Sequence, residues 1–246
     1  MTAFGGMRRP MNDSKAAVIV GVGPGLGSAI ARRFARGGFA VVLMARGRDG
    51  LVAVQEELER SGARATSIEV DASDPASVSV GFARARDAFG APEVLVYNAS
   101  AFRMGGIMEV PVEDFERCWR ATCLGGFLAA REVVPAMVER RRGTILFTGA
   151  TASLRGSARF SALAVGKFGL RALAQSLARE LGPSGVHVAH IVVDAVIDTP
   201  QGRARTAGGK TLLSPEALAE TYWQLHVQDA TAWTQEIDVR PAVEPF

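Results

Sequence analysis

Two textures of hydrophobic pattern alternate along this chain. Short apolar runs mark 16–21, 39–44, 65–70, 94–97, 145–148 and 186–193, and a weaker one marks 236–239; each predicts a strand. Between them, apolar residues recur every three or four positions. That spacing predicts helices over 26–35 (Ile30 and Phe34 on one face), 49–60 (Leu51, Val54, Leu58) and 74–89. A long helix is predicted over 112–141 with a break near Gly125-Gly126, and another over 160–181 closed by Gly182-Pro183. Ser214-Pro215-Glu216-Ala217 reads as the N-cap, first-turn proline and opening of a further helix. Runs apolar throughout belong to strands covered on both faces. Helices between successive strands imply right-handed crossovers and a parallel sheet.

The 246 residues carry no internal repeat and no second-domain linker, so one domain is expected over 15–246. Residues 1–14 lack periodicity and lack the apolar stretch of a secretion signal, and they are expected to be a disordered tail. Residues 198–213 are rich in Gly, Thr and charge; together with the following helix they predict a substrate loop or lid over about 198–226. Hydrophobic residues make up 48% of the chain, enough for a large core. A net charge of +3, spread without a basic stripe, argues against a nucleic-acid partner. No apolar run has the length of a bilayer span, so no membrane association is expected. Cys118, Cys123, His187, His190 and His226 complete no metal-ligand spacing. The two cysteines read as reduced, packed thiols of a cytoplasmic protein.

Chemistry begins directly after the first strand. Gly21, Gly23, Gly25 and Gly27 surround Val22, Pro24 and Leu26 and open the first helix. Such a loop turns tightly, lets backbone approach a pyrophosphate and aims free amides at it. This is a dinucleotide site on a three-layer, doubly wound parallel sheet of the Rossmann type, with about seven strands. An acid normally ends the second strand of an NAD site, where it binds the ribose 2′-hydroxyl. Here Met44-Ala45-Arg46-Gly47-Arg48 offers none. A carboxylate would repel a 2′-phosphate and an arginine fork can hold one, so NADP(H) is expected over NAD(H), with Arg46 as its ligand and Arg48 as a surface charge.

The spacing Gly21-x-x-x-Gly25-x-Gly27 resembles that of the short-chain dehydrogenase/reductase family, and the resemblance extends over nearly the whole chain. Val20 stands where the family usually has Thr. Asp71-Ala72 matches the adenine contact after the third strand, and Asn98-Ala99-Ser100 matches an Asn-Ala-Gly motif with its last residue changed. Ile197 and Thr199 match residues that meet the nicotinamide carboxamide, although Asp194-Ala195 replaces the family's Pro-Gly. The resemblance also implies dimers or tetramers, built through the two long helices and the last strand.

Family members share a Tyr-x-x-x-Lys pair, a Ser after the fifth strand and an Asn on the preceding helix. Lys167 matches the lysine, which implies a hold on the nicotinamide ribose. Leu163 occupies the tyrosine position, Ala150 the serine position and Thr122 the asparagine position, with Thr151 and Ser153 close to the serine's place. Leucine cannot donate a proton. Substitutes are few: Asp194 as a buried acid or as the cap of the next turn, Tyr222 facing the pocket or the core, Tyr97 most simply as packing, and Lys167 itself if burial lowers its pKa. Ala150, Leu163, Phe160, Phe102 and Trp223 would give a small, apolar lining, which argues for a bulky apolar small-molecule substrate or for none.

Three functions fit these residues. One is an NADP(H)-dependent oxidoreductase that moves hydride to or from a carbonyl-like or imine-like group with a non-standard proton source. The second is a cofactor-binding protein without redox turnover, and the third a lyase, isomerase or cyclase on the same fold.

Overall fold

The computed structural model describes residues 15–206 and 212–243; the tail expected at 1–14 and part of the expected lid lie outside the described residues. Seven strands form one parallel sheet: β1 (Ala16–Val20), β2 (Ala40–Ala45), β3 (Ala65–Glu69), β4 (Val94–Tyr97), β5 (Gly143–Thr148), β6 (Val186–Val193) and β7 (Glu236–Val239). Their order is β3-β2-β1-β4-β5-β6-β7. The order reverses between β1 and β4, which makes the carboxyl ends of those strands the natural ligand crevice.

Each central strand feeds two cores because its side chains alternate. Ala17 and Ile19 of β1 face α1 (Leu26–Arg36), α2 (Arg48–Arg60) and α8 (Pro215–His226). Val18 and Val20 face α3 (Pro75–Phe89), α5 (Gly125–Glu139) and α6 (Ser161–Leu181). The unbroken apolar runs therefore report burial on both sides, as the three-layer reading requires.

Two elements differ from expectation. The long helix breaks earlier than Gly125-Gly126: α4 (Val112–Trp119) passes into a π-helical turn over Arg120–Leu124 before α5 begins. The glycines mark close approach instead, since a Cβ on Gly125 would collide with the Tyr97 hydroxyl and the Ala72 carbonyl. Single π turns inside helices commonly sit at functional sites, and this one carries Thr122. By length and composition the stretch Val112–Glu139 could also cross a bilayer, contrary to the sequence reading. Here Ala129, Val133 and Met137 of its inner face are buried in the sheet's core. Within the expected lid, residues 200–206 form a helix, α7 (Pro200–Thr206), and Ile197 pairs with Leu213 in an isolated parallel bridge.

Candidate active site

The glycine loop is a close-packed cradle. Gly21 has φ +93°, a left-handed value that side chains rarely adopt, and a Cβ on it would strike the backbone of Asn98 and Ala99. Both Gly21 N–H and Val22 N–H donate to the Met44 carbonyl, at 2.8 and 3.1 Å. Asn98 Nδ2 donates to the Gly21 carbonyl at 2.8 Å and ties the end of β4 to the loop. A Cβ on Gly27 would meet Gly21 and Val22, so helix α1 can start tight against the strand. Gly25 caps α1 with no acid in the first turn, which leaves Leu26 and its neighbours free to present amides and positive dipole to an anion.

This loop opens on a cleft of about 340 Å³, lined by Gly21, Arg46, Asp71, Ala72, Asn98, Ala99 and neighbours from all four strand ends. A groove of about 630 Å³ along α2 and β3 and a hollow of about 380 Å³ at the opposite end of the sheet collect none of these motif residues. Arg46 is exposed at the rim. Asp71 accepts from the Ser73 amide at 2.9 Å and the Ser73 hydroxyl at 2.7 Å. Burial pushes the Asp71 carboxyl up, but those hydrogen bonds and the charges of Arg46 and Arg120 outweigh it and hold it below the ordinary value. Arg120, in the π turn, is a cation that no motif signalled; it also donates to the Ser73 carbonyl at 3.0 Å.

Lys167 lies at the centre of the catalytic positions. It is 4% exposed, and its Nζ donates to the Thr148 carbonyl at 2.7 Å. Burial pushes its ammonium down to about 8. Half-buried Leu163 stands four residues earlier on α6, hence on the same helix face. Thr122, fully buried, sits against Gly166, where a Cβ would come within 2.9 Å of the threonine's own Cβ. Its Oγ1 accepts weakly from Ala101 N–H at 3.4 Å and lies 3.5 Å from Ser100 Oγ. Ala150, half-buried and extended, follows β5. The hydroxyls beside it are occupied: Ser153 Oγ accepts from Ala150 N–H at 3.1 Å, and Thr151 donates to Asp194. Phe102 and Phe160 stand 5.7 Å apart, centroid to centroid.

Several expected substitutes fall away. Tyr222 does not face the pocket: it is fully buried on α8, and its hydroxyl lies 2.7 Å from Thr148 Oγ1 on the sheet face away from α6. Burial pushes its phenol well above the ordinary range. Trp223 packs on Phe34, Phe39 and the Arg33 guanidinium and lines no catalytic pocket. Asp194 is clamped between Thr151 and Arg240, whose Nη2 lies 3.0 Å from its carboxylate. It therefore ties the ends of β6 and β7 together and does not point a free acid at a substrate. Tyr97 is a packing residue, its hydroxyl donating to the Ala121 carbonyl at 2.6 Å in the π turn. Thr199 Oγ1 accepts from Gly202 N–H at 2.9 Å to cap α7, while its methyl closes over Gly25. Ile197 holds the lid's base through its bridge to Leu213.

The comparisons with known proteins agree with this architecture. Residues 15–210 match the family model for short chain dehydrogenases. The chain is 32% identical over 219 residues to the 1-deoxy-11-beta-hydroxypentalenate dehydrogenase of Streptomyces exfoliatus, covering 86% of this chain and 79% of that one. A solved short-chain dehydrogenase from Rhodopseudomonas palustris superposes with a TM-score of 0.81 at 37% identity, covering 93% of this chain and 98% of that one. A metagenomic short-chain oxidoreductase solved with NADP superposes with a TM-score of 0.82 at 27% identity, covering 94% and 98%. The chain belongs to the short-chain dehydrogenase family.

Proposed function

We propose that this protein is an NADP(H)-dependent oxidoreductase acting on a carbonyl-like or imine-like apolar substrate, with Lys167 and not a tyrosine handling the proton. The observation that carries this reading is the buried Lys167 ammonium at the tip of β5, with a leucine where it would be expected to act on a phenol. The cofactor, when bound, supplies the hydride. The glycine loop and the α1 amides receive the pyrophosphate, and Arg46 at the rim receives the 2′-phosphate. A carbonyl that accepts hydride at carbon needs a proton at oxygen. An ammonium with its midpoint near 8 is matched to give one at neutral pH, and solvent restores it. Leu163, Phe102 and Phe160 offer apolar walls to the substrate. Phe115, Trp119 and Phe127 along α4 and α5, with Val165 and Phe168 on α6, leave exposed apolar surface that supports the reading of a homo-oligomer.

Calorimetry with NADPH and NADH, followed by absorbance against a panel of ketones, enones and imines, tests the reading. Tight NADPH binding with oxidation is the expected result. Tight binding with no oxidation by any panel member moves the protein to a binding role, and no binding removes the cofactor. In the same assay Arg46→Asp is expected to weaken NADPH about 10- to 100-fold, the worth of one charge-assisted contact, and to leave NADH nearly unchanged. Equal loss for both cofactors would show that Arg46 does not read the phosphate.

A further inference from the structure

The hollow of about 380 Å³ at the amino ends of the strands is roomier than the cofactor cleft's 340 Å³ and has its own chemistry. Arg141 and Arg142 line it from the turn between α5 and β5, Thr144 from β5, His226 from the end of α8, and Gln228 and Trp233 from the link to β7. Arg141 directly follows the α5 cap and has φ +50°. Glycine is the ordinary choice there, because a side chain strains in left-handed backbone. The fold holds that strain in place. Arg141 N–H donates to the Val138 carbonyl and Arg142 N–H to the Met137 carbonyl, each at 3.0 Å, and a Cβ on Gly185 would strike the Arg141 carbonyl. Strain of this kind clusters where a side chain serves a ligand.

Arg141 is not spent on structural pairing. Its guanidinium gives one hydrogen bond, at 2.9 Å to the Pro183 carbonyl, and meets no carboxylate among the described residues. Glu93, the single acid lining the hollow, is taken by Arg142 at 2.7 Å. Other donors are left over as well. Burial pushes the His226 ring down to about 4, and the charges of Lys15 and Arg142 push it the same way, so it is neutral and carries one N–H. Its Nδ1 lies 2.9 Å from Thr144 Oγ1. That pair holds two polar hydrogens and shares one hydrogen bond, so a donor on Nε2 or on Oγ1 is left with no acceptor among the described residues. The Trp233 indole N–H has none among them either, while its ring is stacked on His187 at 4.9 Å. Gln228 cannot serve these donors, because both ends of its amide are bonded to Thr234, at 2.8 Å each. His187 Nε2 donates to the Thr234 carbonyl at 2.9 Å, and its unpartnered Nδ1 is sealed from solvent.

What the hollow lacks is an acceptor with negative charge. We propose that it is a second binding site, for a small-molecule oxyanion, phosphate or carboxylate, gripped by Arg141 and the Thr144–His226 pair and flanked by Trp233. An arginine fork matches two oxygens of either group, and the volume admits a ligand of metabolite size. None of these residues lines the cofactor cleft, so the inference stands apart from the proposed redox function.

The chain has three tryptophans, Trp119, Trp223 and Trp233, so nitrogen-labelled protein gives three indole N–H signals by NMR, assigned with Trp233→Phe. Inorganic phosphate and acetate are titrated separately into the cofactor-free protein, with chloride holding the ionic strength constant. A saturable shift of the Trp233 signal with Trp119 unmoved is the expected result, and the anion that acts at the lower concentration identifies the head group. Arg141→Gly relieves the left-handed strain, is expected to fold, and should raise the dissociation constant about 10-fold or more, the worth of a charge-assisted contact. If it does not fold, Arg141→Asn, which tolerates the same backbone, decides. No saturable shift with either anion overturns the proposal. So does an equal shift of Trp119, or a dissociation constant that the Arg141 variant leaves unchanged, because general ionic effects would then explain the response.

Discussion

Leu163→Tyr is expected to raise the rate of NADPH-dependent ketone reduction by roughly 10²-fold, the lower end of what a positioned general acid contributes. The reasoning is geometric. Positions 163 and 167 lie one turn apart on α6, and helical side chains at that spacing stack on one face. A phenol at 163 would stand beside the Lys167 ammonium, whose charge stabilises phenolate and strengthens the phenol as an acid. Room exists, because Leu163 is only half-buried. Overpacking, which costs about 1–3 kcal/mol in a filled core, is therefore small here. The check is NADPH oxidation with simple ketones across pH 6–9, wild type against variant. An unchanged rate in a folded variant would mean that proton delivery does not limit this site, and the reading of 163 as the proton position would fail.

The fold was legible because its signals are local. Strand runs of four to eight residues, helical spacing between them and the glycine loop each depend on a few neighbours, and β1 to β7 appear within a few residues of their expected bounds, the widest gap being two residues at the start of β5. The cofactor cleft was legible for the same reason, since strand ends in a parallel sheet converge wherever the order reverses. Tyr222 was left open between pocket and core although its helix announced the core. Leu218, Ala219, Tyr222 and Leu225 repeat at helical intervals and form the buried stripe of α8, and that periodicity should have outweighed the lure of a hydroxyl near the lid. Asp194 could not be resolved from sequence, because its partner Arg240 lies 46 positions away and meets it only after β7 pairs with β6. The grip of Arg171 and His190 on Glu236 was hidden in the same way, across 65 and 46 positions.

Lys167→Met is expected to abolish turnover, by about 10²- to 10⁴-fold, while making the cofactor-free protein more stable at pH 7. The two effects come from one cause. The ammonium is nearly all removed from water; among the described residues no carboxylate touches it, and its single acceptor is the Thr148 carbonyl. Burial lowers its midpoint from 10.5 to about 8. The folded state therefore binds this proton less tightly than the unfolded state, a cost on the order of 3 kcal/mol wherever both states are charged, below about pH 8. Between about 8 and 10.5 the unfolded chain holds more protons than the folded one, so wild-type stability rises with pH across that window. Methionine keeps the length and apolar volume but orphans the Thr148 carbonyl, which returns about 1 kcal/mol of the gain. Urea melts at pH 7 and pH 10 check the prediction: the variant should lead at pH 7, and the wild type should close most of the gap by pH 10. A variant less stable than wild type at pH 7 would make Lys167 a structural element, whereas a stabler and inactive one would show a charge kept in the core against stability because the chemistry uses it.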